Sequence, residues 1–291
     1  MKSRPHIAPT PAGTNLAGQT MIITGGNSGL GLEAARQYIT LHASCVILAC
    51  RSISKGEEAA KYLSSHPTVK STNPGVNIKV MTLDLDDETS VMNFATQVKK
   101  ELDSLDILIL NGGVNFMTYQ LSKSGHERVI QVNYHSNALL ALELLPLLKS
   151  TASKRGQPSR LTFIGSGTHK MHTLNKTPLG KEESIAHHWD NKEKYHPLQR
   201  YSDSKLMVTA FTEELARHVD PSKVIVNCVC PGMVSTGLDA NLPIWLKPIM
   251  WILHFLVDRT PEVGARTYVY ATSVVGVESH GKWLQHNQIA E

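Results

Sequence analysis

Four cysteines among 291 residues are too few to staple a fold. Cys45, Cys50, Cys228 and Cys230 all fall inside apolar, β-branched runs rather than loops, so they read as reduced core thiols of a reducing compartment. The opening MKSRPHIAPTPAGTNLAGQT lacks the apolar stretch of a secretory signal, and the expectation is cytoplasmic residence. Charge is scarce as well: 19% of residues are Asp, Glu, Lys or Arg, against the usual quarter. The net +4 is spread along the chain, which argues against a nucleic-acid partner. The greasiest stretch, 242–257, contains Pro243, Lys247, Pro248 and His254 and is shorter than the ~20 residues a membrane-crossing helix needs. Metal-ligand patterns are missing too. His169, His172, His187 and His188 have neither an H-E-x-x-H frame nor a cysteine partner nearby, so no metal is expected. Gly165-Ser166-Gly167 is not the G-x-S-x-G elbow of a serine hydrolase.

What is present is an alternation. Short β-branched runs at 20–24, 45–50, 77–83, 106–110, 160–165 and 223–229 are separated by segments of helical period at 29–43, 54–65, 87–103, 121–148, 199–219 and 261–275. That pattern belongs to parallel strands joined by crossover helices, and near-continuous apolar strands suit a sheet covered on both faces. No linker or repeat divides the chain, so residues 1–291 read as a single α/β domain with an N-terminal tail at 1–18. The least regular region, 167–200, reads as a long surface excursion on the substrate side.

The first strand runs directly into a glycine-rich turn from Gly25 to Gly31, with Asn27, Ser28, Gly29 and Leu30 between, and a helix follows at once. Glycines at a strand-to-helix turn let the backbone approach a pyrophosphate, whose charge is met by free N–H groups and the positive helix end. The Lys-Ser/Thr ending of a nucleoside triphosphate loop is absent. About 20 residues further on, where an acid would grip the 2′-hydroxyl of an NAD ribose, stands Arg51 instead. A guanidinium there can pair with the extra 2′-phosphate, so NADP is preferred over NAD.

In the helical segment 199–219, Tyr201-Ser202-Asp203-Ser204-Lys205 places a phenol and an ammonium one turn apart on the same face. A nearby cation stabilises the phenolate and lowers a pKa that is ordinarily near 10. Taken with TGGNSGLG at 24–31, the strand-terminal Ser166 and PGMVST at 231–236, this order resembles the short-chain dehydrogenase/reductase family over nearly the whole chain. The resemblance is to its retinol-dehydrogenase-like and fungal biosynthetic branches. It implies one doubly wound Rossmann domain with a mostly parallel sheet of about seven strands flanked by helices. It further implies a catalytic tetrad of Tyr201, Lys205, Ser166 and Asn133, in which Lys205 also binds the nicotinamide ribose and Asn133 holds a relay water. Asp84 and Leu85 match the adenine-contacting turn, Asn111 and Gly112 the turn after the fourth strand, and Pro231, Gly232, Val234 and Thr236 the loop at the nicotinamide end. Two departures stand out. Leu110-Asn111-Gly112-Gly113 replaces the usual Asn-Asn-Ala-Gly, which is expected to loosen that turn. The interval from Ser166 to Tyr201, 35 residues, is long, which is expected to enlarge the flap beside the substrate.

The implied activity is NADP(H)-dependent interconversion of a carbonyl and a primary or secondary alcohol on an apolar small molecule, in a fungal secondary-metabolite pathway. The alternative is a non-catalytic dinucleotide-binding regulator of the same fold. An epimerase or dehydratase of the extended type is disfavoured because no length remains for a substrate domain. The apolar stretch 242–257, within a lid expected at 237–260, suits a cover over the substrate, a core helix, a subunit interface or a peripheral membrane contact. Homodimerisation is expected through the long central helices, as in relatives.

Overall fold

The computed structural model describes residues 6–234 and 259–290. Its strands are β1 (Thr20–Thr24), β2 (Cys45–Cys50), β3 (Asn77–Thr82), β4 (Ile107–Leu110), β5 (Ser159–Ile164), β6 (Val224–Cys230), β7 (Trp283–Gln285) and β8 (Gln288–Ala290). They form one sheet in the order β3-β2-β1-β4-β5-β6-β7-β8. Every neighbouring pair is parallel except β7 and β8. The chain winds outward from β1 through β2 to β3, then crosses back so that β4 lies on the other side of β1. Such a reversal opens a crevice at the carboxyl ends of the strands, where open α/β sheets bind ligands.

The alternation of side chains along each strand feeds two cores. Met21 and Ile23 of β1 join Ile107 and Ile109 of β4 on one face, packed against Tyr38, Ile39 and Tyr268. Ile22, Leu108 and Leu110 face the other way, against Phe94, Leu144, Leu148 and Leu215. The helices supplying these partners are α1 (Gly29–Thr40) and α2 (Ile53–Ser65), the short α3 (Pro67–Thr72), and α4 (Glu88–Glu101). They continue with α5 (Arg128–Ile130), a π-turn at Gln131–His135, and α6 (Ser136–Arg155). After these come α7 (Ile185–Asp190), α8 (Arg200–Arg217) and α9 (Pro261–Val269). Local chemistry sets several boundaries. Ser52 and Asp87 cap α2 and α4 by accepting from the N–H groups of Lys55 and Thr89. Gly156, with φ of 70°, ends α6 in the left-handed conformation.

The helix expected at 121–148 is corrected at both ends. Gly125, with φ of 85°, turns the chain so that Leu121 bridges Glu127, and only then does Glu127 cap α5. At the far end the helix continues through Pro146 to Arg155. The β7–β8 hairpin is an addition, its turn made by His286 and Asn287, both with φ of 58°. The excursion at 167–200 is only partly a surface feature, because Thr173, His188 and Trp189 are buried. Cys50, Cys228 and Cys230 are buried and Cys45 half-buried, and all four are unpaired. Among the described residues, no helix is long and apolar enough to cross a membrane. The same residues hold no cluster of His, Cys, Asp or Glu suited to a metal. Thr236 and the apolar stretch 242–257 lie outside the described residues.

Candidate active site

Thr24 ends β1 and organises the crevice. Its hydroxyl accepts from the N–H of Gly112 at 2.8 Å, and its carbonyl accepts from Asn111 Nδ2 at 2.8 Å. The Asn111 oxygen in turn accepts from the hydroxyl of Tyr268, on α9, at 2.8 Å. The turn after β4 is therefore tied down rather than loose. A Cβ on Gly112, which stands where the family's usual motif has alanine, would meet Leu85 Cδ1 at 2.6 Å, so an alanine here needs that side chain to shift.

The glycine-rich turn has the shape of a phosphate cradle. Gly25 and Gly29 adopt φ of 65° and 52°. A Cβ on Gly31 would stand 2.6 Å from the Gly25 carbonyl and 2.8 Å from Asn111 Nδ2. The backbone here is closed on itself, and α1 begins with Ser28 as N-cap without a side-chain capping bond and no acid in its first turn. Ser28 and Gly29 are exposed, Asn27 and Leu30 half-exposed. An exposed helix start of this kind offers its N–H groups and dipole to an anion. Arg51 lies exposed directly after β2, and its charge reaches Asp84. Burial works against ionisation of Asp84. The hydrogen bond from Lys123, the Asp86 N–H and the charges of Lys123 and Arg51 outweigh it and hold the carboxyl below the usual range. Leu85, next in the chain, is buried, and its carbonyl accepts from Ser136 Oγ at 2.6 Å.

Pro231, Gly232 and Val234 follow β6. Arg259 Nη1 donates to the Pro231 carbonyl at 3.2 Å, and the Arg259 N–H donates to the Met233 carbonyl at 2.9 Å. Gly232 holds φ of 82°, and a Cβ there would meet Arg259 Nη1 at 2.7 Å.

The remaining four residues are brought together by β5, the π-turn and α8. Lys205 Nζ donates to the Ile164 carbonyl at 2.7 Å, two residues before Ser166. The same Nζ lies 5.4 Å from the centre of the Tyr201 ring. Burial pushes the Lys205 ammonium down to about 8, with the thiols Cys228 and Cys230 beside it opposing the shift. Burial also pushes the Cys228 thiol up to about 12. Ser166 Oγ accepts from the Thr168 N–H at 3.3 Å and its hydroxyl at 3.0 Å. Both lone pairs are thereby engaged and the Ser166 O–H hydrogen stays available to donate. Asn133 sits in the π-turn, buried. Its oxygen accepts from the Val114 N–H at 2.7 Å, and Nδ2 donates to the Val114 carbonyl and to Ser204 Oγ, each at 3.0 Å. That side chain is fully used in joining the β4 turn to the helix of Tyr201. Its backbone carbonyl accepts from Asn137 Nδ2 at 3.2 Å.

Sequence reasoning missed Thr24, Asp203, Glu127, Arg200 and Arg259. Asp203, buried inside the Tyr201-to-Lys205 run, accepts from the Thr173 N–H at 2.7 Å and its hydroxyl at 3.0 Å. Their partners lie far off in the chain, so no local spacing could reveal them. Thr24 alone carried a signal, as the hydroxyl preceding the first glycine.

Residues 19–178 and 191–247 match the family model described as short chain dehydrogenase. Among curated proteins, the chain is 52% identical over 287 residues to "Short chain dehydrogenase sor7" of Hypocrea jecorina, covering 98% of this chain and 80% of that one. It is 43% identical to "Short-chain dehydrogenase/reductase tropG" of Talaromyces stipitatus, over 99% and 87% of the two chains. Solved structures with the same fold include the RhlG/NADP active-site complex of Pseudomonas aeruginosa. It has a TM-score of 0.68 and 23% identity, covering 94% of this chain and 96% of that one. L-sorbose reductase of Gluconobacter frateurii, complexed with NADPH and L-sorbose, has a TM-score of 0.66 and 20% identity, covering 94% and 96%.

Proposed function

The chain belongs to the short-chain dehydrogenase/reductase family, and from that premise we propose that it is an NADP(H)-dependent oxidoreductase. It interconverts a carbonyl and a primary or secondary alcohol on an apolar small molecule. The observation that carries this reading is the buried Lys205 ammonium, 5.4 Å from the Tyr201 ring and bonded to the strand end that leads to Ser166. The residues present fit a dinucleotide. Gly31 has room for no side chain against Gly25, and Arg51 stands where an acid would select NAD. Preference for the 2′-phosphate follows from Arg51 as a charge-assisted fork. The neighbours determined with NADP or NADPH are in keeping with it.

The chemistry that a bound nicotinamide supplies is hydride transfer to or from carbon. This chain's own residues would handle the oxygen. In the reductive direction Tyr201 donates its phenolic proton to the carbonyl oxygen, and the Ser166 O–H donates a hydrogen bond to the same atom as charge develops there. Lys205, held dry beside the phenol, acts on it through a low-dielectric path and favours the phenolate. Its remaining N–H donors would hold the nicotinamide ribose and a water near the Asn133 carbonyl, through which Tyr201 would be reprotonated. Asp84 and Leu85 would border the adenine, and Asn111, Gly112, Pro231, Gly232 and Val234 would line the rest of the cofactor cleft. Identity to fungal short chain dehydrogenases supports a role in a fungal secondary-metabolite pathway. The four unpaired cysteines suit a reducing, cytoplasmic setting. Exposed Leu142 on α6 is in keeping with a homodimer joined through that helix.

The test is Tyr201→Phe. It is expected to abolish NADPH oxidation with apolar ketones while leaving NADPH fluorescence titrations unchanged, and surviving turnover would refute the assignment. If the wild type binds NADPH but oxidises it with no carbonyl, the regulator reading replaces this one. Arg51→Glu is expected to weaken NADPH binding at least tenfold while sparing NADH.

A further inference from the structure

Tyr201 lies in the first turn of α8, the part of a helix where fraying begins. The N-cap of α8, Gln199, makes no side-chain capping bond. The Arg200 N–H donates to the His196 carbonyl at 2.8 Å, and the Arg200 side chain anchors the turn further.

Arg200, the chain neighbour of Tyr201, is wholly buried. Its guanidinium lies 5.0 Å from the Trp189 ring centre and 5.1 Å from that of Tyr195. Nη2 donates to the Lys194 carbonyl at 3.1 Å, and Nε stands 3.8 Å from Glu127 Oε2. Nε and Nη1 have no hydrogen-bond acceptor among the described residues. Glu127 is equally buried, and its carboxylate accepts from the N–H groups of Val129 at 3.2 Å and Ile130 at 3.0 Å. The carboxylate facing Arg200 therefore also starts the helix that runs into the π-turn of Asn133. Asp190, at the end of α7, closes the ring: it accepts from the Glu127 N–H at 2.8 Å and pairs with His126 Nδ1 at 2.8 Å. Tyr119 donates its hydroxyl to the Asp190 carbonyl at 2.7 Å, and Tyr195 donates to the Phe116 carbonyl at 3.0 Å.

We propose that Arg200 and Glu127 are positioning residues: a buried charge pair, boxed by Trp189 and Tyr195, that makes the placement of Tyr201 and Asn133 depend on the docking of segment 183–195. The physical ground is that a guanidinium buried with part of its donors unmet is a costly choice, for which an apolar side chain of similar volume is often a more stable replacement. What the charge adds is direction. Two ring faces and one carboxylate define the orientation of a planar cation in a way a methylene chain cannot. Displacing a reacting group by about 1 Å costs on the order of 10²-fold in rate. The inference rests on the reading of Tyr201 as proton donor.

The experiment uses the full chain with NADPH and α-tetralone as probe ketone. Arg200→Met is expected to lower kcat on the order of 10²-fold with the Kd for NADPH unchanged. Arg200→Lys should recover part of the loss, and Glu127→Gln combined with Arg200→Met should be no worse than Arg200→Met alone. A readout that mere stability would not move is the ultraviolet difference titration of the Tyr201 phenol, taken for each variant against its Tyr201→Phe counterpart. Its midpoint should shift in Arg200→Met. Lowered melting temperatures with kcat and that midpoint unchanged would overturn the proposal. Should Arg200→Met fail to fold, Arg200→Lys and Glu127→Gln carry the same readings. Should the wild type reduce no α-tetralone, the failure counts against the redox reading with that substrate. The positioning role is then decided by the phenol titration and by chymotrypsin cleavage within 183–195, which must accelerate in the variants.

Discussion

Replacing Lys205 by Met is expected to make the cofactor-free protein more stable while destroying its activity. The Lys205 ammonium is buried and its proton is lost near pH 8, against 10.5 for an ordinary lysine, chiefly through desolvation. At 1.36 kcal/mol per pH unit, keeping it charged below pH 8 costs the fold about 3 kcal/mol. Methionine removes that cost but leaves the Ile164 carbonyl without its donor, a loss of about 1 kcal/mol, so the net gain at pH 7 is about 2 kcal/mol. The sign of the pH dependence follows. Between pH 8 and 10.5 the unfolded chain binds the Lys205 proton more tightly than the folded one, so wild-type stability from this group rises with pH across that window. The advantage of Lys205→Met should therefore be full below pH 8 and give way above 10.5 to a deficit of about 1 kcal/mol from the lost Ile164 bond. Cys228, pushed up by burial and held back in part by the Lys205 charge, titrates in the opposite sense. Urea unfolding of both proteins at pH 7 and pH 10, with equal m-values, measures it. A variant less stable than wild type at pH 7, or a difference indifferent to pH, would refute the reasoning. With NADPH in excess the order should reverse, since the bound cofactor stabilises the protein that holds it better.

Three further outcomes are expected. In the free enzyme kcat/KM for carbonyl reduction should fall above about pH 8, where Lys205 loses the charge that acidifies Tyr201; a flat profile to pH 10 contradicts this. Gly31→Ala forces a Cβ to 2.6 Å from the Gly25 carbonyl. It should cost about 1–3 kcal/mol in thermal or urea unfolding and weaken NADPH binding. Ser166→Ala should reduce kcat by about 10²–10³ with NADPH affinity intact, measured by steady-state kinetics and fluorescence titration.

The sheet was legible because its strands are buried on both faces and show as uninterrupted apolar runs: β1 and β2 fall at 20–24 and 45–50 as the pattern indicates. The hairpin of β7 and β8 escaped because three-residue strands are too short for periodicity to register. Gly125 shows why the helix expected from 121 starts late, since one left-handed residue overrides the other six of 121–127. The Tyr201–Lys205 pair was readable from four-residue spacing, a local property of a helix. The anchors of its first turn were not, because Arg200 meets Glu127 across 73 residues and Asp203 meets Thr173 across 30. Burial of a charge is a tertiary fact, and a basic residue at a helix start looks identical whether it faces water or two aromatic rings.

Val234 and Arg259 pair across an isolated bridge, and Arg259 also bonds back to Pro231 and Met233. Val234 and Arg259, 25 positions apart in the chain, thus meet at adjacent points, like a purse drawn shut at its string. The knot is tied by the scaffold's own backbone and one guanidinium, so the end of β6 and the entry to α9 stay in register with each other.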